Sequence, residues 1–184
     1  NNLAHAKGVM AFHGASGFFL RHSTPRFPDY ANSGPYAGFP TYARIYGQTF
    51  LCVSYSMANL NVIASQFLVN DANIYDSYVT PTVANQYPAI GALANGNRMK
   101  SYTSIRSVLS LGGVNFTDVA KSKACACELY TQLVAPAYGS AMAVLSWGRP
   151  LMGSGCRPFV PYDVLDISGM VLDTPTEIGR ASCR

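Results

Sequence analysis

All three histidines of the protein, His5, His13 and His22, lie in one stretch, AHAKGVMAFHGASGFFLRHS, from Ala4 to Ser23. Lys7 stands among them. An imidazole beside an ammonium suits a phosphate. The ammonium neutralises charge and donates hydrogen bonds to the non-bridging oxygens. A neutral imidazole can attack phosphorus, and a protonated one can donate to a departing oxygen. Three common residue types in a row recur by accident, so His-x-Lys by itself specifies little.

The elements around the triplet must bring these groups together. Gly8 to Phe12 is short, apolar and bounded by turn residues, which predicts a strand. His13 to Gly17 reads as a turn, and Gly17 to His22 as the second strand of a hairpin. Side chains two apart in an extended chain point the same way. His5 and Lys7 then face one site, with Ala6 turned away, and Gly8 lets the backbone pass close to whatever sits there. His22 ends the neighbouring strand and returns to the edge that carries His5. His13 falls at the turn, far from that edge, and reads as an exposed loop residue.

Further along, Pro25 to Pro40 is rich in Pro, Gly and Tyr and predicts a surface loop. Thr49 to Ser54 reads as a third strand. Met57, Leu60, Ile63, Phe67 and Leu68 recur at steps of three and four, which predicts a helix with one buried face. Asn73 to Ser77 suggests a short strand, and Thr80 to Gly96 reads as irregular. Ser101 to Ser107 and Val114 to Lys121 alternate well enough to pair around Gly112-Gly113. Glu128 to Ala135 predicts a helix that stops near Pro136. Ala141 to Trp147 and Tyr162 to Val171 read as strands. The mixture predicts an α/β or α+β fold without internal repeats.

Composition narrows the class. The chain has 184 residues, 49% hydrophobic and 12% charged, which excludes a disordered chain and allows one domain with a real core. No apolar run approaches the ~20 residues of a membrane span. The net charge of +4 permits an anionic substrate without demanding one. Arg21, Arg26 and Arg44 are scattered and read singly as solvated surface charges. The five cysteines, Cys52, Cys125, Cys127, Cys156 and Cys183, match no zinc signature. Cys125 and Cys127 stand too close to bond each other comfortably and read as free or buried thiols. Asn115-Phe116-Thr117 is a glycosylation acceptor if the chain is secreted. The final EIGRASCR, from Glu177, matches one reading frame of a common sequencing-adapter oligonucleotide, so residues 177–184 are read as a scar and the fold as residues 1–176.

Several segments carry a more specific signal. HAKGVMAFHGASGFFLRHSTPRFP resembles the first active-site region of the deoxyribonuclease II family: His-x-Lys-Gly, an apolar strand, a glycine-aromatic turn and strand, then His-Ser-x-Pro-x-Phe-Pro. Tyr46 to Ser54 is similar to the family's YGQT-leucine-cysteine segment. Ile74-Tyr75-Asp76 follows at a familiar distance. Val119-Ala120-Lys121, Glu128-Leu129-Tyr130 and Ala141 to Cys156 resemble its later strand–helix–strand part. The likeness runs from His5 to about Leu172.

That resemblance implies a phospholipase D-like mixed sheet with flanking helices, whose second half is incomplete here. Such folds have two similar halves, each supplying a His-x-Lys to a shared cleft. It implies metal-independent hydrolysis of DNA at acid pH, with no cofactor, leaving 3′-phosphates through a phosphohistidine. His5 matches the first catalytic histidine, Lys7 the phosphate-binding lysine and His22 a supporting histidine. An acid optimum follows because a histidine titrates near ~6.5 and the reacting pair must hold one proton between them. The second His-x-Lys is expected beyond Leu172, so the active enzyme is the longer parent and the piece alone is inactive. Cys52 and Cys156 match family cysteines whose partners lie outside this chain. The family implies a lysosomal or secreted protein with DNA as its partner and no membrane span; the oligomeric state stays open. Two alternatives stand beside this reading. One is a secreted relative that binds DNA or another polyanion without cutting it. The other, two chains joining His5 to His5 across a two-fold axis, is sterically unfavourable.

Overall fold

Gly14 shapes the turn of the first hairpin. β1 (Gly8–His13) and β2 (Ser16–His22) pair antiparallel, with His13 opposite Ser16 and only Gly14-Ala15 between them. Gly14 takes φ 60°, the left-handed backbone that a two-residue hairpin turn demands. The turn is tighter than the sequence suggested, and His13 becomes the last strand residue, exposed at the far end of the hairpin. β3 (Phe50–Ser56) adds antiparallel to β2 and completes a three-stranded sheet in the order β1-β2-β3.

The computed structural model describes residues 4–26, 29–30, 33–35, 38–45, 47–100, 102–144 and 162–166. The chain divides into two compact units, Asn1–Cys125 and Ala126–Arg184.

In the first unit the strands alternate as a half-buried sheet should. Met10, Phe12, Phe19, Val53 and Tyr55 turn inward onto α1 (Met57–Val69). Val9, Phe18 and Cys52 share the opposite, more exposed face. Ser56 caps α1 by accepting a hydrogen bond from the N–H of Asn59 at 3.3 Å. The predicted apolar stripe turns inward: Met57, Leu60, Ile63 and Leu68 are buried and Phe67 is half-buried, with Ala64 buried beside them. Phe67 meets the Phe19 ring edge-on at 5.4 Å between centroids. Burying such side chains stabilises by roughly 1.5–3 kcal/mol each.

A second hairpin, β4 (Thr103–Leu109) and β5 (Asn115–Lys121), packs on α1 as well. The helix side chains splint it. Gln66, fully buried, donates from Nε2 to the carbonyls of Ser104 and Asp118. Asn70 Oδ1 accepts from the N–H of Lys121, and Asn59 Nδ2 donates to the carbonyl of Leu109.

The segment Thr80 to Gly96 departs from expectation. It forms α2 (Pro81–Gln86) and α3 (Pro88–Ala94) rather than irregular chain. Both prolines occupy the first helical turn, where the missing N–H costs nothing, so they start helices instead of breaking them. Thr80 Oγ1 caps α2 by accepting from Val83, and Asn61 Oδ1 accepts from the N–H groups of Ala89 and Ile90. The strand expected at Asn73 to Ser77 is absent; those residues are irregular.

In the second unit a wide turn, Tyr130–Val134, runs into α4 (Ala135–Tyr138). Pro136 lies in the first turn of α4, so the helix continues past it and ends at left-handed Gly139. β6 (Met142–Val144) and β7 (Val164–Asp166) pair in parallel, and Ala135, Val144 and Val164 form the local core. The remainder of the two expected strands, Cys156, and residues 177–184 lie outside the described residues. Cys125 and Cys127 are both disulfide-bonded, which corrects the expectation of free thiols. Among the described residues, helices with antiparallel sheets and one parallel pair make the fold a mixed α/β one, as expected.

Candidate active site

The segment that carries His5 and Lys7 is pinned at both ends. The N–H of Ala4 donates to the carbonyl of Asp71 at 3.1 Å, just beyond α1. The carbonyl of Lys7 accepts from the N–H of His22 at 3.2 Å. This last bond extends the β1–β2 ladder by one step and sets Lys7 opposite His22. Gly8 is required next to it. A Cβ there would lie 2.7 Å from the carbonyl oxygen of Leu20 and 2.7 Å from the Phe19 ring. The close approach that glycine permits is therefore to the sheet itself rather than to a bound group.

The side chains of the predicted triad converge. Lys7 Nζ stands 3.2 Å from His5 Nε2. An ammonium can only donate, so in this contact Nε2 is the acceptor. His5 is exposed, while Lys7 and His22 are half-buried. Burial lowers the pKa of His22 from 6.5, and the nearby Lys7 charge lowers it further. Both effects favour the neutral ring. Its Nδ1 is buried without a hydrogen-bond partner among the described residues. Its ring stacks on Phe50, the residue opposite it on β3, with centroids 5.9 Å apart and planes 18° apart. His13 lies at the other end of the hairpin, as expected.

Two neighbours are not evident from the sequence residue by residue. Ser23 Oγ donates to Gln48 Oε1 at 2.7 Å and accepts from the N–H of Thr49 at 2.9 Å, while Ser23 N–H donates to the carbonyl of Thr49 at 3.1 Å. Gln48 Nε2 reaches the carbonyl of Ala43. The His-Ser and Gly-Gln-Thr segments thereby clasp each other directly beyond His22. Both residues belong to motif segments, but the clasp joins two segments far apart in sequence and is invisible in either alone. Arg26 is also engaged locally. Its guanidinium lies 4.3 Å over the Tyr42 ring, a cation–π contact. Its left-handed backbone, φ 67°, sits within the same short connection.

Among the described residues no three His, Cys, Asp or Glu side chains gather as a metal site would require. Among them, too, no helix is long and apolar enough to cross a membrane.

The deoxyribonuclease II family model matches residues 1–180. The chain is 36% identical over 151 residues to cell death-related nuclease 6 of Caenorhabditis elegans, covering 81% of this chain and 39% of that protein. It is 35% identical over 147 residues to deoxyribonuclease-2 of the same organism, covering 79% of this chain and 38% of the relative. It is 30% identical over 179 residues to deoxyribonuclease-2-alpha of Sus scrofa, covering 95% and 48%. The chain thus spans less than half the length of these relatives. With the His-x-Lys pair, its neighbouring histidine and the clasp all in place on one sheet end, the chain belongs to the deoxyribonuclease II family.

Proposed function

We propose that this chain supplies the first His-x-Lys half of an acid, metal-independent endodeoxyribonuclease of phospholipase D-like fold. The observation that carries the reading is the 3.2 Å approach of Lys7 Nζ to His5 Nε2 on the edge where His22 ends β2. In the free site the ammonium occupies the imidazole lone pair. An arriving phosphodiester draws Lys7 onto its non-bridging oxygens and frees Nε2 to attack. A nitrogen–phosphorus bond forms and the bond to the 5′-oxygen breaks. The 5′-oxygen takes a proton from a second histidine, which the longer parent supplies. Water activated by that same group then splits the nitrogen–phosphorus bond, leaving a 3′-phosphate and a free imidazole. His22 borders the attacked phosphate, and burial and the Lys7 charge both disfavour its protonated form.

Family membership, at 30–36% identity to proteins named as nucleases, supports DNA as the substrate class. A lysosomal or secreted location fits two observations. Cys125 and Cys127 are disulfide-bonded, which suits an oxidising compartment. The Asn115 acceptor is exposed on β5. A non-cutting relative that binds DNA or another polyanion is the competing reading, and the test separates the two. The longer parent is assayed on supercoiled plasmid in mildly acid buffer with chelator present. Nicking that disappears in His5→Ala and Lys7→Gln supports the nuclease. Cutting only on addition of a divalent metal defeats it, and retention of DNA without cutting transfers the case to the binding reading.

A further inference from the structure

Phe50 opens β3 on the same sheet end as the His5–Lys7 pair, and 56% of its surface is exposed. One side of its ring stacks on His22. Phe39 meets it at 6.2 Å with an interplanar angle of 62°, edge to face. The ring is therefore held by two aromatic neighbours while much of its own surface stays in water. Lys7 and Phe50 flank His22 on the two strands beside it. Two strand spacings put them roughly 10 Å apart. A nucleotide, with its sugar between phosphate and base, spans such a gap.

We infer that Phe50, braced by His22 and Phe39, is a stacking platform for one nucleobase of the strand whose phosphate lies at His5 and Lys7. The inference rests on the nuclease reading above and adds a base subsite to it. Every base presents a π-face, so the platform is indifferent to sequence. It is not indifferent to pairing. A base inside an intact duplex already stacks on its neighbours, so the platform favours single strands, frayed ends and gaps.

The test uses the 184-residue chain, wild type and with Phe50→Leu or Phe50→Tyr, each checked for folding by circular dichroism. Leucine keeps apolar volume without a π-face; tyrosine keeps the ring. The probes are a single-stranded oligonucleotide carrying 2-aminopurine, whose emission falls on stacking, and its duplex, with fluorescence anisotropy reporting binding at low salt. The inference expects quenched emission with wild type and Phe50→Tyr. It expects Phe50→Leu to lose the quenching and roughly 5- to 100-fold of single-strand affinity, with duplex affinity changed less than about twofold. Binding by wild type and Phe50→Leu with equal affinity and equal emission overturns the subsite and leaves the phosphate grip standing. Absence of any DNA binding by wild type overturns both.

Discussion

The N–H of His22 donates to the carbonyl of Lys7, so an imidazole and an ammonium face each other across adjacent strands. Neither group is indifferent to the other. The lysine helps to hold the histidine neutral, and the histidine's backbone holds the lysine in line with His5.

The first prediction is a titration. Followed by NMR, the His22 ring protonates below 6.5, and Lys7→Gln moves its midpoint up part of the way, because burial is the larger cause. The sign for stability follows. Below 6.5 the unfolded chain takes up this proton before the folded one, so stability falls as pH drops, until the folded ring also protonates. A His22 midpoint at or above 6.5 would contradict the geometry.

A second prediction concerns salt. Lys7 is assigned one phosphate, so Lys7→Gln weakens duplex binding about equally for all sequences. It also flattens the slope of log K against log salt by about 0.9. An unchanged slope would remove Lys7 from the phosphate site.

A third lies away from the site. Burial raises the pKa of Asp118, opposed in part by Gln66 and by the charge of Arg21. The stability that Asp118 provides is therefore present below 3.8 and lost as pH rises through its raised value. Asp118→Asn should raise the melting temperature at neutral pH relative to wild type, and the gain should shrink toward pH 3.8. A gain that is the same at both pH values would count against the burial of this carboxyl.

Gly8→Ala supplies a fourth. Its added carbon would lie 2.7 Å from the Leu20 carbonyl oxygen, so β1 must shift. Overpacking of this kind costs roughly 1–3 kcal/mol. The shift displaces Lys7 from His22, so parental cleavage falls while the fold survives. Unaltered melting and cleavage would show that the strand has room the structure does not provide.

The first hairpin, α1 and the β4–β5 hairpin were legible because hydrophobic period and turn chemistry agree there. The placement of His5, Lys7 and His22 on one edge followed from two-residue alternation and hairpin closure. The helices at Pro81 and Pro88 were not legible: a proline breaks a helix interior but suits a helix start, and the difference lies in capping by Thr80 and Asn61. The Ser23–Gln48 clasp and the Phe50 platform were not legible. Both arise from β3 docking beside β2, a pairing between segments far apart in the chain.

Asp71 carries the N-terminal anchor of the site in a left-handed backbone, φ 55°, which few residues other than glycine, asparagine and aspartate accept readily. Its carbonyl points at Ala4 only while that unusual twist persists. The aim of the His5 imidazole is thus partly set by the backbone twist of a turn remote in sequence but bonded to the residue before it. Unwinding that turn would slacken the reactive segment without touching the side chains of His5, Lys7 or His22.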